Sequence, residues 1–144
     1  MTPRLAAIAV VVRAGQVLLA RRKNEPDAGL WGFPGGHVDF GETALDAAAR
    51  ELREETSVIA EPQKYLTNID VITRNAEGQI TYHFLLAAVL CEYRSGTPHP
   101  SDDVSEARWF DFSAIQNLPT SANVAEVVNL AANAYSTTPT IGPS

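Results

Sequence analysis

One segment of the sequence is strongly helical and stands between runs of strand-forming residues. Residues 43–56, TALDAAARELREET, are rich in alanine, leucine and glutamate, which favour the helix. Thr43 followed by Asp46 has the pattern of an N-terminal cap, so a helix is predicted from this threonine to about Thr56. Runs of Val, Ile and Leu on both sides favour strands. Because such a helix buries its apolar face against neighbouring elements, we expect an α/β or α+β fold around one sheet.

The other elements are predicted from apolar runs and from the turn formers between them. Strands are expected at 4–13, 16–22, 65–74, 79–93 and 106–112, with a hairpin turn at 75–78, a helical turn at 113–117 and an amphipathic helix at 120–135. Thr120 or Ser121 is the expected cap of that last helix. Residues 23–36, KNEPDAGLWGFPGG, are rich in glycine and proline, and we expect a tightly shaped loop that breaks any regular element.

Length and charge limit the classes of protein that are compatible with this chain. Its 144 residues fit one domain, expected at 1–136, with a flexible tail at 137–144. A formal net charge of −6 argues against a nucleic-acid polymer as partner. No apolar stretch is long enough to span a bilayer, and the single cysteine, Cys91, lies in an apolar run that predicts burial. The cytoplasm is therefore the expected compartment.

Three carboxylates share one face of the predicted helix. Glu51, Glu54 and Glu55 are spaced i, i+3 and i+4, so their negative charges lie close together. Such a group favours a hard cation with oxygen ligands, and Mg²⁺ or Mn²⁺ are the leading candidates. Alone, this pattern is also typical of a solvated helix face on which Arg50 pairs with Glu54.

The residues before the helix favour the metal. Gly35 and Gly36 permit close approach of the backbone, and Glu42 follows six residues after Gly36. The segment from Gly36 to Val58, GHVDFGETALDAAARELREETSV, resembles the signature of the Nudix hydrolase family. Ser57 is the one departure, since the family has glycine there. A left-handed conformation at this helix end would cost serine about 1 kcal/mol, which affects the helix exit and not the carboxylates.

The resemblance implies a fold and an activity. The fold is an α/β/α sandwich with a mixed central sheet and the catalytic helix after the glycine-rich loop. The activity is metal-dependent hydrolysis of a diphosphate linkage in a nucleotide-like small molecule, with Mg²⁺ as cofactor and Mn²⁺ as alternative. The flank KNEPDAGLWGFPGG is similar to that of ADP-ribose pyrophosphatases, so ADP-ribose is the favoured substrate.

The resemblance also implies roles for individual residues. Glu51 and Glu55 are the expected principal metal ligands, and Glu54 is the third. Arg50 is expected to orient a glutamate by ion pairing. The backbone carbonyl of Gly35 is expected to be a further metal ligand. Gly36 and Glu42 are the expected supporting residues.

The general base is open between two residues. Asp103, in the acidic loop SDDVSE, is favoured, and Glu51 is the competing choice. For Asp103, a solvated acidic loop is an equally good interpretation.

Four residues near the glycine-rich loop are candidates for binding substrate. Arg21 and Arg22 end the second predicted strand and would contact phosphate, although an exposed basic strand end explains them as well. Trp31 and Phe33 would stack on a base, but aromatic residues in a tight loop more often serve packing.

Two other functions remain as alternatives. One is a pyrophosphatase that removes oxidised nucleoside triphosphates, and the other is a Nudix-fold ligand-binding module without turnover. Retention of all three helix glutamates argues against the second. Members of the family are often dimeric, so a second copy of the chain is an expected partner.

Overall fold

The computed structural model describes residues 2–137 and contains a sheet with helices on both faces. The strands are β1 (Arg4–Arg13), β2 (Gln16–Arg22), β3 (Trp31–Gly32), β4 (Gly35–His37), β5 (Ile59–Arg74), β6 (Ile80–Ser95) and β7 (Val104–Asp111). The helices are α1 (Ala44–Thr56) and α2 (Val124–Thr137), and a 3-10 helix covers Phe112–Asn117. Of the predicted tail at 137–144, Thr137 is the last residue of α2 and residues 138–144 lie outside the described residues.

The strands form one mixed sheet centred on β1. Its main order is β3-β2-β1-β6-β5, with β4 also paired to β1 and β7 to β2. β1 and β6 are parallel, with Arg4 opposite Phe84 at one end and Val12 opposite Glu92 at the other. The remaining pairs are antiparallel. The mixed α/β sheet expected from the sequence is confirmed.

Alternate side chains of β1 contribute to two separate cores. Ala7, Ala9 and Val11 pack with Leu52 of α1 on one face. On the other face, the even-numbered residues Val10 and Val12 pack in a second core with the buried residues of α2, which are Val124, Val127, Val128 and Ala131. This alternation follows from the two-residue period of a strand, and it fixes α1 and α2 on opposite faces.

Both ends of α1 have the predicted local structure. The Thr43 hydroxyl accepts a hydrogen bond of 3.0 Å from the amide of Asp46, which caps the first turn. Ser57 has a φ of 65°, and its amide donates to the carbonyl of Arg53. The serine therefore takes the left-handed conformation that the family's glycine would adopt more easily.

The glycine-rich loop is more regular than predicted. It contains the two short strands β3 and β4, which pair with β2 and β1 respectively. The expectation that 23–36 lacks regular structure was wrong, because this pairing depends on distant strands and not on local propensity.

Two further boundaries differ from the predictions. β5 begins at Ile59, earlier than expected, and the second helix begins at Val124 and not at 120. The Ser121 amide instead donates to the carbonyl of Trp31, which ties this segment to β3. Among residues 2–137, no helix has the length and apolar character needed to cross a membrane.

Candidate active site

The site is built where β4 passes alongside α1. The Gly35 amide donates a hydrogen bond of 3.0 Å to Oε1 of Glu55. At Gly36, an added Cβ would lie 2.6 Å from the carboxyl carbon of Glu51. Each glycine therefore lets the backbone of β4 approach one glutamate of the helix, and a side chain at Gly36 would displace Glu51.

Two of the helix carboxylates are removed from water. Glu55 is only 8% exposed. Burial raises the pKa of its carboxyl to about 7, against the opposing effect of the Gly35 amide, and the charges of Glu51 and Asp103 raise it further. Burial also raises the pKa of Glu51, although its hydrogen bond to Arg50 acts in the opposite direction. A nearby cation would favour the ionised form of both groups.

Arg50 connects the helix to the loop before it. Its guanidinium donates two hydrogen bonds to the carboxylate of Glu42, from Nε at 2.8 Å and from Nη2 at 3.0 Å. Its Nη1 lies 3.0 Å from Glu51 and 3.3 Å from Glu54. The hydrogen bond with Glu42 raises the pKa of Arg50 and lowers that of Glu42. Arg50 therefore remains charged and fixes the position of Glu51.

The donor groups fit a hard cation in part. Glu55 is buried beside Gly35 and Glu51 is half-buried beside Gly36, and oxygen donors with this charge suit Mg²⁺ or Mn²⁺. Glu54 is directed to Arg50 and is 42% exposed. Within residues 2–137, no three Asp, Glu, His or Cys side chains converge into a preformed metal site. The structure thus brings two of the three expected ligands together beside β4.

The acidic loop after β6, which contains Asp103, is hydrogen-bonded to the end of α1. The Ser101 amide donates to the carbonyl of Glu55 at 2.9 Å. The Lys23 amide donates to the carbonyl of Asp103 at 2.9 Å, and Nδ2 of Asn24 lies 3.3 Å from Oδ1 of the same aspartate. These bonds hold Asp103, the favoured general base, near enough for its charge to raise the pKa of Glu55.

The four substrate-binding candidates have different surroundings. Nε of Arg21 donates to the carbonyl of Gly29 and Nε of Arg22 to that of Pro26, so both arginines brace the loop after β2. Arg22 also lies close enough to lower the pKa of Glu55. Trp31 is 5% exposed and Phe33 packs against the α2-side core. These positions favour the packing interpretation for the two aromatic residues.

Sequence reasoning missed two members of the site. Asp39 lies 3.5 Å from Nη2 of Arg50, and the carbonyl of His37 accepts a hydrogen bond of 3.0 Å from the same nitrogen. Charge on His37 lowers the pKa of Glu51, which places this histidine beside the carboxylates. Its position directly after Gly36 was the available signal, but it matches no fixed position of the signature.

Comparisons with known proteins agree with this architecture. The sequence model of the NUDIX domain matches residues 2–130. An ADP-ribose pyrophosphatase of Methanocaldococcus jannaschii is 34% identical over 118 residues, covering 81% of this chain and 65% of that protein. An oxidized purine nucleoside triphosphate hydrolase of Danio rerio is 32% identical over 114 residues, covering 79% and 70% respectively. A MutT NUDIX hydrolase of Burkholderia pseudomallei has a TM-score of 0.76 at 29% identity, covering 90% of this chain and 98% of that one.

The family follows from these matches together with the site. The chain belongs to the NUDIX domain family, as the spacing from Gly36 to Glu55 predicted. It spans 65% of the length of the archaeal relative, somewhat less than two thirds.

Proposed function

We propose that this protein hydrolyses the diphosphate linkage of a nucleoside diphosphate derivative, with ADP-ribose as the favoured substrate and Mg²⁺ as the cofactor. The observation that carries the proposal is the pair of carboxylates, buried Glu55 and half-buried Glu51, held against the glycines of β4. An acidic protein can bind an acidic substrate at such a pair when a divalent cation lies between them.

The residues of the site divide into those that hold the cation and those that hold the ligands. Glu51, Glu55 and the Gly35 carbonyl are the proposed ligands, with Glu54 joining them if it leaves Arg50. When bound, Mg²⁺ would neutralise phosphate charge and lower the pKa of the attacking water. Arg50, fixed by Glu42, orients Glu51. Gly36, which has no Cβ, leaves the space between β4 and α1 that the Glu51 carboxylate occupies.

Asp103 is the proposed general base. It accepts a proton from water as the water oxygen bonds to phosphorus and the bond from phosphorus to the bridging oxygen breaks. With ADP-ribose, the products are AMP and ribose 5-phosphate. The hydrogen bonds from Lys23 and Asn24 support this role because they hold Asp103 near Glu55. Glu51 is the alternative base.

The relatives support two substrate classes. The name of the archaeal relative favours ADP-ribose. The name of the Danio rerio relative favours oxidised purine nucleoside triphosphates, which makes triphosphate pyrophosphatase activity the second candidate. The cytoplasm is the proposed location because the one cysteine, Cys91, is free and buried.

A hydrolysis panel tests the proposed function. Purified protein with Mg²⁺ is incubated with ADP-ribose, other nucleotide sugars, NADH, dinucleoside polyphosphates, and canonical and oxidised deoxynucleoside triphosphates, and the products are identified. We expect AMP and ribose 5-phosphate from ADP-ribose as the fastest reaction. Faster release of pyrophosphate from an oxidised triphosphate would favour the second candidate instead.

Replacement of Glu55 tests the metal mechanism. Glu55→Gln should lower kcat by at least about 100-fold, because it removes charge from a proposed metal ligand while preserving size. Glu77→Gln, an exposed change in the β5–β6 turn, is the matched control and should leave kcat unaltered. Full activity of Glu55→Gln, or of the wild type in excess EDTA, would rule out this mechanism.

A further inference from the structure

The strand β5 forms an open edge of the sheet. It lies at the end of the strand order and pairs with β6, and within residues 2–137 no strand pairs with its other side. Such an edge presents unpaired amide and carbonyl groups that can bind another strand. Proteins usually protect an edge of this kind with proline, lysine or irregular pairing.

The two halves of β5 differ in this protection. The first half contains Pro62 and Lys64, and its pairing with β6 shifts register between these two residues and again between Tyr65 and Thr67. From Thr67 to Thr73 the pairing continues without a shift, and this stretch has neither proline nor lysine. The second half therefore keeps the regular geometry that a further strand needs.

The direction of the backbone groups in the second half follows from the hairpin. The Asn75 amide donates to the carbonyl of Gln79 at 2.9 Å, and the Thr73 carbonyl accepts from the hydroxyl of Thr81 at 3.1 Å. The backbone groups of both residues thus face β6. Because successive residues of a strand direct these groups to opposite sides, the even-numbered residues direct theirs outward. They are Asp70, Ile72 and Arg74.

The side chains of the same three residues form a pattern that complements itself. All three are exposed and lie on one face of the strand, with Ile72 48% exposed between the two charges. In an antiparallel pair of two copies with Ile72 opposite itself, each Asp70 lies opposite an Arg74. Centring the pair on Asp70 or on Arg74 places like charges directly opposite, which is destabilising. The charges therefore favour the register centred on Ile72.

We propose that residues 70–74, which we call the edge segment, are the interface of a homodimer in which β5 of two copies pairs antiparallel about a two-fold axis through Ile72. The outward amides and carbonyls bond across the axis, and the two Ile72 side chains lose contact with water between two ion pairs. Arg74 uses Nη1 for the carbonyl of Gly78 at 3.0 Å, and its guanidinium has further N–H donors for the Asp70 carboxylate of the second copy.

The structure leaves space for the rest of the second copy's hairpin. In this register the turn that follows Arg74 in the second copy runs beside residues 67–69. A cavity of about 300 Å³ opens there, between β5 and the start of α2, with Asn68, Asn123 and Glu126 among its lining residues. The polar turn can therefore lie against a polar cavity.

The size of the interface determines the strength of the dimer. Only five residues of each copy pair, so the dissociation constant is expected to be about 10 to 100 μM. The inference does not depend on the proposed function, because the edge segment contains none of the residues proposed to bind metal or substrate.

Charge reversal tests the interface. Sedimentation of the full chain from about 1 to 500 μM measures the dissociation constant. Asp70→Arg places arginine opposite Arg74, and Arg74→Asp places aspartate opposite Asp70. Each variant alone should raise the dissociation constant at least about tenfold.

Mixing the two variants provides the decisive measurement. In a mixed pair, both arginines of Asp70→Arg lie opposite the two aspartates of Arg74→Asp, so a heterodimer should form with about the affinity of the wild type. The double variant Asp70→Arg/Arg74→Asp should also dimerise as the wild type does. Thermal denaturation confirms that each single variant is folded, and heterodimer formation requires both to be.

Lys64→Asp is the matched control. It changes the net charge exactly as Arg74→Asp does, at an exposed position in the irregular half of the same strand, and should leave the dissociation constant unaltered. If it weakens the dimer as much as Arg74→Asp, net charge and not the edge segment is responsible.

Three further outcomes would overturn the proposal. One is a wild type that remains monomeric at about 500 μM, which would leave the edge without a second copy as its partner. Another is a wild-type dimer that neither single variant weakens, which would place the interface elsewhere on the chain. The last is the absence of a heterodimer when both single variants are folded and monomeric, since Asp70 and Arg74 would then not face each other.

Discussion

At the scale of single residues, two adjacent glycines have different neighbours. A Cβ on Gly35 would lie 2.2 Å from the carbonyl oxygen of Ala7 and 2.8 Å from Cα of Ile8. The three atoms nearest to a Cβ on Gly36 all belong to the carboxylate of Glu51, at 2.6 to 2.7 Å. The first glycine is therefore required by the backbone of the sheet, and the second by the position of a proposed metal ligand.

Alanine substitutions at Gly35 and Gly36 should have different effects, the first mainly on stability and the second mainly on activity. Gly35→Ala should lower the free energy of unfolding by at least about 2 kcal/mol because backbone cannot move aside easily. Gly36→Ala should lower kcat about 100-fold with little loss of stability, because Glu51 can rotate away but then misplaces its carboxylate. Urea denaturation and hydrolysis assays measure the two effects.

The control for these variants comes from the same loop. At Gly32 a Cβ would meet Ser121 at 3.5 Å, an ordinary contact, so Gly32→Ala should alter neither quantity strongly. Equal loss of stability in Gly35→Ala and Gly36→Ala would contradict the assignment.

Glu55 should make the stability of the metal-free protein depend on pH. Its pKa is raised from 4.5 to about 7 in the fold, so the native state binds more protons than the unfolded state between these values. Stability should therefore fall as pH rises from about 4.5 to 7, by on the order of 2 kcal/mol. Urea denaturation in EDTA at pH 5.0 and 7.5 measures this decrease.

Two variants identify the source of that pH dependence. Glu55→Gln cannot ionise and should lose much less stability between the two pH values than the wild type does. Glu77→Gln, exposed in the turn, should follow the wild type. If Glu55→Gln shows the same decrease as the wild type, the buried carboxyl is not its cause.

At the scale of elements, the backbone conformation of Ser57 at the end of α1 destabilises the fold. Ser57 has a φ of 65°, a conformation that glycine adopts more easily than residues with a Cβ. Ser57→Gly should raise the free energy of unfolding by about 1 kcal/mol, with kcat unaffected. Ser57→Ala keeps a Cβ and should bring no comparable gain. Urea denaturation of both variants decides this, and a gain in the alanine variant equal to that in glycine would count against the backbone explanation.

The sequence predicted elements with strong local patterns and missed those made by distant pairing. β1 and β2 agree with the predicted 4–13 and 16–22 because their apolar runs end at clear turns. β3 and β4 have only two and three residues, contain glycine, and exist because β2 and β1 pair with them. Local propensity carries no signal of such pairing.

The candidate site was predicted in composition but not in arrangement. The spacing of Gly36, Glu42 and Arg50 identified the family, yet it did not show that Arg50 engages Glu51 and Glu54 together. That Glu55 is the most buried of the helix carboxylates depends on β4 lying against α1, which is a tertiary contact. Residue spacing along a helix defines a face, and the neighbouring strand determines which side chains on it lose water.

At the scale of the whole molecule, the site depends on the centre of the sheet. β1 pairs with β2 and β4 along one edge and with β6 along the other. The same strand thus supports both the glycines of β4 beside the carboxylates and the parallel strand β6. The position of β4 beside α1 therefore depends on this central strand.

The alternation of β1 side chains between two cores limits how this chain can diverge in evolution. Substitutions within β1 change the filling of one core at a time, but a one-residue insertion would exchange the residues that face α1 and α2. It would also shift β4 relative to β6. Changes in length are consequently confined to places such as the exposed turn after Arg74, where added residues leave both cores in register.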